Sequence, residues 1–120
     1  ESWTEARRKN ASLYNELLLN IDGIITPYQA GYTRHVYHIY AIRVKNRDKL
    51  IERLAQKEIF CGIHYPVPVH LQEAYNFLGL SKGSFPIAEK CAEEFVSLPM
   101  YPELTEAQIK YTTDEIKKLL

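Results

Sequence analysis

An excess of charge of either sign is missing from this sequence. Fifteen Lys and Arg meet fifteen Asp and Glu across 120 residues, for a formal net charge of zero. A protein that grips nucleic acid through its phosphates normally carries a basic surplus, so that class is disfavoured. Cysteine is scarce, at Cys61 and Cys91 only. Two thiols, each in an apolar stretch, make no disulfide scaffold and read as buried free thiols. A Cys/His nucleophile would need an exposed, low-pKa thiolate, which neither neighbourhood offers. Long apolar runs are also absent: Leu17-Leu18-Leu19 falls far short of the roughly 18 residues of a membrane span. No secretory apolar region or cleavage site opens the chain, so a reduced, cytoplasmic setting is expected. The sequence starts at Glu1 without a methionine, as a piece of a longer protein would.

The sequence does hold enough for a core. Hydrophobic residues make up 46% and charged residues 25%, a globular mix and not a disordered one. One domain of this length buries roughly 65% of its unfolded surface. The first 60 residues hold ten Lys/Arg against seven Asp/Glu, the last 60 five against eight. A solvated surface accounts for so small a swing, and an anion-binding patch in the first half is the lesser reading.

Ser2 and Glu5 have capping-box spacing, and Ala6, Asn10, Leu13, Tyr14, Leu17, Leu18 and Ile21 follow on one helical stripe, stopped by Asp22-Gly23. Residues 26–34 read as a loop. Residues 36–44 (VYHIYAIRV) are rich in β-branched and aromatic side chains on both faces, which predicts a central strand in a covered sheet. Asn46 is placed to cap a helix carrying Leu50, Ile51, Leu54 and Ala55. Residues 59–65 read as a second strand. Pro66 and Pro68 break regular structure, and a short helix is expected over residues 70–78, ended by Gly79. Ser84 and Pro86 start another helix, residues 95–98 read as a third strand, and Thr105 with Gln108 forms a second capping box before the last helix. The order predicts an α+β fold: a small sheet of about three strands covered by helices.

All four histidines fall between residues 35 and 70. A metal site is not expected, because His35 and His38 would point to opposite faces of the predicted strand and only three aspartates exist. The nine tyrosines are scattered instead of interleaved with basic residues, so no stacking platform for single-stranded nucleic acid is expected. The segment Gly62-Ile63-His64-Tyr65-Pro66-Val67-Pro68-Val69-His70-Leu71-Gln72 stands out. Two prolines stiffen it where the chain leaves a predicted strand, and His64, Tyr65, His70 and Gln72 supply donors and acceptors for hydroxyls, carbonyls and phosphates. The same residues also allow a plain structural reading, with Tyr65 packed and the histidines capping nearby backbone.

The order of several short motifs resembles the C-terminal domain of the DegT/DnrJ/StrS-type aminotransferases. They run through Arg7-Arg8-Lys9-Asn10-Ala11 with Tyr14, then His35-Val36-Tyr37-His38-Ile39-Tyr40 with Arg43-Val44, then Gly62-Ile63-His64-Tyr65-Pro66 with Pro68, His70, Gln72, Ala74 and Tyr75. They end with Phe85-Pro86, Ala88-Glu89, Ser97-Leu98-Pro99-Met100-Tyr101-Pro102, Leu104-Thr105 and Gln108-Ile109. The resemblance implies the small domain of the aspartate-aminotransferase superfamily, a short antiparallel sheet with helices. It implies that pyridoxal phosphate (PLP) carries an amino group from glutamate to a nucleotide-linked keto-sugar, in a glycan or amino-sugar pathway. It implies a homodimer whose PLP-binding N-terminal domain, with its Schiff-base lysine, lies outside this chain. The 120 residues alone are then expected to be inactive. His64 and Tyr65 match positions that face the substrate cleft, with His70 and Gln72 either supporting the loop or touching substrate. Arg34 and His35 are placed to meet the pyrophosphate. Two alternatives share the scaffold: a PLP-dependent sugar dehydratase, in which the catalytic lysine is replaced, and a non-catalytic ligand-binding or interaction module.

Overall fold

The computed structural model describes residues 1–120. Helix α1 (Ser2–Leu18) buries Asn10, Ala11, Tyr14 and Leu18, the stripe expected from a 3.6-residue period. It ends earlier than its spacing predicts: Leu19 is extended and Asn20 turns at φ 60°, so Ile21 lies past the helix. Its start differs too. Glu1 is the N-cap without a side-chain bond, and the Glu5 carboxylate reaches Arg34 and Arg8 instead of closing a box with Ser2.

Three strands make one antiparallel sheet in the order β1 (Ile24–Ile25), β2 (Tyr40–Val44), β3 (Phe95–Leu98). Strand β2 is central, pairing Ile24 with Val44 on one side and Ile42 with Val96 on the other. Two sequence expectations need correction. The central strand starts at Tyr40, because the chain turns at Tyr37 (φ 46°) and keeps His35 and His38 out of the sheet. The opposite-face argument about those two histidines therefore loses its premise. Residues 59–65 do not form a strand: only Gly62 bridges Ser97, with backbone hydrogen bonds of 2.9 and 2.8 Å. The remaining strand is the short β1, at two residues for which the sequence predicts no element.

Alternation along β2 sorts the layers. Tyr40, Ile42 and Val44 are buried against α1, α2 (Arg47–Ala55) and α4 (Glu106–Leu119). Arg43 faces the other side, where its guanidinium holds Glu94 Oε2 of α3 (Pro86–Glu94) at 3.0 and 2.7 Å. Tyr14 and Tyr40 stack at 4.8 Å in the main core. The Tyr14 hydroxyl donates to Pro99 O at 3.1 Å and that of Tyr40 to Asn15 Oδ1 at 2.7 Å, so neither buried phenol lacks a partner. The Thr105–Gln108 capping box forms as expected at α4 and contributes about 1 kcal/mol.

Between α2 and α3 the chain makes two 3-10 turns, Val69–Leu71 and Glu73–Leu78, in place of the single helix expected. From residue 71 to residue 88 no side chain is buried, although the stretch carries Tyr75, Phe77, Leu78, Leu80, Phe85 and Ile87. The radius of gyration, 15.6 Å, exceeds the about 14 Å of a compact domain this long. No helix is long and apolar enough to cross a membrane.

Candidate functional site

Strand β3 holds one end of the histidine-bearing segment. Gly62 pairs with Ser97 through the backbone, and His64 Nδ1 then lies 2.9 Å from the buried Ser97 Oγ. A Cβ at Gly62 would stand 2.9 Å from His64 Cε1 and 3.4 Å from Nδ1, so only glycine leaves room for the ring. Gly62→Ala is therefore expected to displace His64 from Ser97 while the fold persists. The imidazole NMR signals should move, and loss of one hydrogen bond of about 1 kcal/mol should lower the melting temperature by only a few degrees. Unchanged imidazole signals would show that the ring does not need the space.

Beyond His64 the backbone runs through Pro66 and Pro68, whose rings fix φ. Tyr65 is 70% exposed, its ring edge-on to His64 at 5.5 Å. The segment is held again at His70, which is buried with Nε2 at 2.9 Å from Glu89 Oε1. Glu89 also accepts the Gly83 N–H at 2.9 Å and the Phe85 N–H at 3.2 Å. The Gly83 N–H above all, then His70 and Phe85, hold its carboxyl below the usual carboxylate range against the opposing effect of burial. Between these anchors opens a cavity of about 530 Å³ with a mostly apolar lining. Tyr65, Val69, His70, Gln72, Phe85 and Cys91 are among the residues around it.

Six residues were singled out from the sequence, and the structure brings some of them together. Tyr65, His70 and Gln72 line the cavity, and His64 anchors the wall beside it. Gln72 is exposed at the rim. Arg34 and His35 do not border the cavity. The Arg34 guanidinium binds the carboxylates of Glu1 and Glu5, which raise its pKa further, Glu1 foremost. The carbonyl of His35 accepts from Arg8 at 2.8 Å, and its Nδ1 accepts the Tyr37 N–H at 2.9 Å. Both cysteines are free and partly buried, and burial pushes the Cys61 thiol up to about 11. Sequence reasoning missed Glu89. The available signal was an acidic residue in the first turn of a proline-started helix, preceded by a turn whose amides need acceptors.

The fold of this chain, a three-stranded antiparallel sheet with helices, is shared with known aminotransferase structures. DesV from S. venezuelae matches with a TM-score of 0.94 at 36% identity, over 98% of this chain and 32% of that one. A DegT DnrJ EryC1 StrS aminotransferase from Brucella abortus matches with a TM-score of 0.89 at 34% identity, over 99% and 31%. Residues 1–117 match the sequence profile of the DegT/DnrJ/EryC1/StrS aminotransferase family, and the chain belongs to that family. Among curated relatives, a pleiotropic regulatory protein of Geobacillus stearothermophilus is 42% identical over 97% of this chain and 32% of its own length. The dTDP-3-amino-3,4,6-trideoxy-alpha-D-glucose transaminase of Streptomyces venezuelae is 36% identical over 98% and 31%. The chain thus spans about a third of the length of the curated relatives it matches.

Proposed function

We propose that these 120 residues are the small C-terminal domain of a homodimeric, PLP-dependent aminotransferase that moves an amino group from glutamate to a nucleotide-linked keto-sugar. In this reading residues 62–72 form one wall of the substrate cleft. The observation that carries it is the wall itself: a proline-stiffened segment anchored at both ends, facing an open cavity and followed by apolar side chains that nothing in this chain covers. Uncovered apolar surface of that extent marks contact with more protein. The parent's remaining two-thirds and its dimer partner are the proposed cover.

PLP would supply the electron sink of transamination. The residues here do not make a cradle for it, since all nine lysines are exposed and none borders the cavity. On the family resemblance, the attachment lysine and phosphate site are assigned to the N-terminal domain. The role proposed for this chain is to bind and orient. His64 and Tyr65 hold the sugar and order the cleft, His70 supports the wall, and Gln72 touches the ligand at the rim. For Arg34 and His35 the proposed contact is the pyrophosphate, with Arg34 sharing its guanidinium between that anion and Glu1 and Glu5.

The test uses the intact parent enzyme. Its visible cofactor band is expected to change on addition of glutamate. His64→Ala and Tyr65→Ala are each expected to lower kcat/KM for the keto-sugar nucleotide at least about tenfold, roughly 1.4 kcal/mol. Changes within about twofold for both would sink the assignment of the wall. A band indifferent to glutamate would favour the dehydratase or the non-catalytic module. The 120 residues alone are expected to transaminate nothing, and measurable turnover by them would overturn that division of labour.

A further inference from the structure

Tyr65 is suspended between two anchored histidines. Before it, His64 Nδ1 is 2.9 Å from Ser97 Oγ on β3, and beyond it His70 Nε2 is 2.9 Å from Glu89 Oε1 on α3. Of the five residues 65–69 between the anchors, Pro66 and Pro68 have fixed φ, so little backbone freedom remains to absorb a shift at either end. The two anchors are not equivalent. Ser97 binds one ring with one hydroxyl, whereas the Glu89 carboxylate gathers three segments. It bonds the 3-10 turn through His70, the turn before α3 through the Gly83 and Phe85 N–H groups, and it belongs to α3 itself. The Phe85 ring meets His70 edge-on at 4.9 Å, and Tyr65 and Phe85 both line the cavity. One buried carboxylate thereby fixes the spacing of two cavity walls.

We infer that Glu89 is a positioning residue for the substrate cleft, acting through His70 on Tyr65. The inference rests on the proposed place of Tyr65 in that cleft. Glu89 is buried and its carboxylate is occupied by His70, Gly83 and Phe85, so it acts on the ligand only through what it holds. Its loss should then appear in KM far more than in kcat, and should matter only while Tyr65 is present.

Two measurements on the full-length enzyme decide this. The first needs no substrate: 3-fluorotyrosine is placed at position 65 and its ¹⁹F signal recorded. Glu89→Leu and the milder His70→Gln, which leaves the Gly83 and Phe85 bonds to Glu89 intact, are expected to shift or broaden that signal. Glu89→Gln keeps the acceptor and should leave it near its original place. Thermal melts identify any variant that has not folded, and His70→Gln covers the case in which Glu89→Leu does not. An unmoved signal in folded Glu89→Leu or His70→Gln overturns the inference.

The second is a double-mutant cycle of Glu89→Leu (His70→Gln if Glu89→Leu does not fold) with Tyr65→Ala, read with a dTDP- or UDP-linked 3-keto-sugar at saturating glutamate. The expected result is KM raised about tenfold with kcat within about threefold, falling to under about twofold on the Tyr65→Ala background. Equal losses on both backgrounds, or a loss confined to kcat, overturn the inference. A silent Tyr65→Ala defeats the proposed place of Tyr65 in the cleft and overturns the inference with it. A Tyr65→Ala effect without coupling to Glu89 defeats the inference alone.

Discussion

The fold should lose stability steeply above about pH 9 to 10, and three buried protons set that limit. Tyr14 and Tyr40 are fully buried and stacked at 4.8 Å, and burial raises both phenols well above their ordinary value of 10. Burial also pushes the Cys61 thiol from 9.0 up to about 11. In each case the folded chain keeps a proton that the unfolded chain releases. The unfolded state therefore binds fewer protons above its own pKa, and stability falls as pH rises. The contribution of each group is complete below its unfolded pKa. It declines from about pH 9 for the thiol and about pH 10 for the phenols, by about 1.4 kcal/mol per pH unit for each group in its window. The three slopes together amount to about 5 kcal/mol by pH 11, as much as the lower end of a total stability of about 5–15 kcal/mol. Urea midpoints measured from pH 7 to 11 should stay level to about pH 8.5 and then drop. Tyr40→Phe should remove one slope at the expense of the Asn15 hydrogen bond. A level profile to pH 11 would mean that the phenols ionise without leaving the core.

Much of this architecture was legible because local and tertiary signals agreed. Residues 40–44 and 95–98 combine β-branched and aromatic side chains with burial, and they pair as Tyr40–Leu98 and Ile42–Val96. Thr105 and Gln108 sit at fixed spacing, and a capping box needs nothing beyond its own turn. The error at residues 59–65 has a physical cause. A short apolar run supports a strand, but a strand also needs an edge with room for several bonds, and this run makes only the Gly62–Ser97 bridge before Pro66 ends it. The two residues of β1 carry no periodicity at all, and only pairing with Arg43 and Val44 makes them a strand. At the site, the segment 62–72 was visible through its prolines and histidines. The use of its members was not. For His70 the sequence left both a supporting and a ligand-touching role open, and its partner Glu89 lies 19 residues away on another element. Arg34 and His35 were expected to meet the pyrophosphate, and the hold of Glu1 and Glu5 at the start of α1 on Arg34 is encoded by no local pattern around residue 34.

Ile42→Ala should be the most damaging single methyl-trimming change in the sheet, whereas Phe77→Ser should be nearly silent in the same chain, and the pair tests what covers what. Ile42 is fully buried at the middle of the central strand, opposite Val96, on the face that carries Tyr40 and Val44. Its truncation removes buried methyl groups and leaves a cavity, at a cost of about 2–5 kcal/mol, while Ile42→Val should cost about 0.5–1.5. Phe77 is 80% exposed in the second 3-10 turn, within the uncovered stretch that precedes α3. Converting it to serine removes almost no burial here, so the expected change in the isolated chain is within about 0.5 kcal/mol. In the full-length enzyme the expectation reverses. If the rest of the protein packs on this stretch, Phe77→Ser loses the transfer energy of a covered aromatic ring and should destabilise the parent by about 2 kcal/mol or more. Urea unfolding of both variants in both contexts separates the cases. Equal and small effects of Phe77→Ser in the two would leave the aromatic stretch facing water and remove the main support for docking. A large effect only in the parent would place the covering surface against the 3-10 turn whose Tyr75 and Leu78 line the cavity, and so tie the closure of the cleft to the assembly of the whole enzyme.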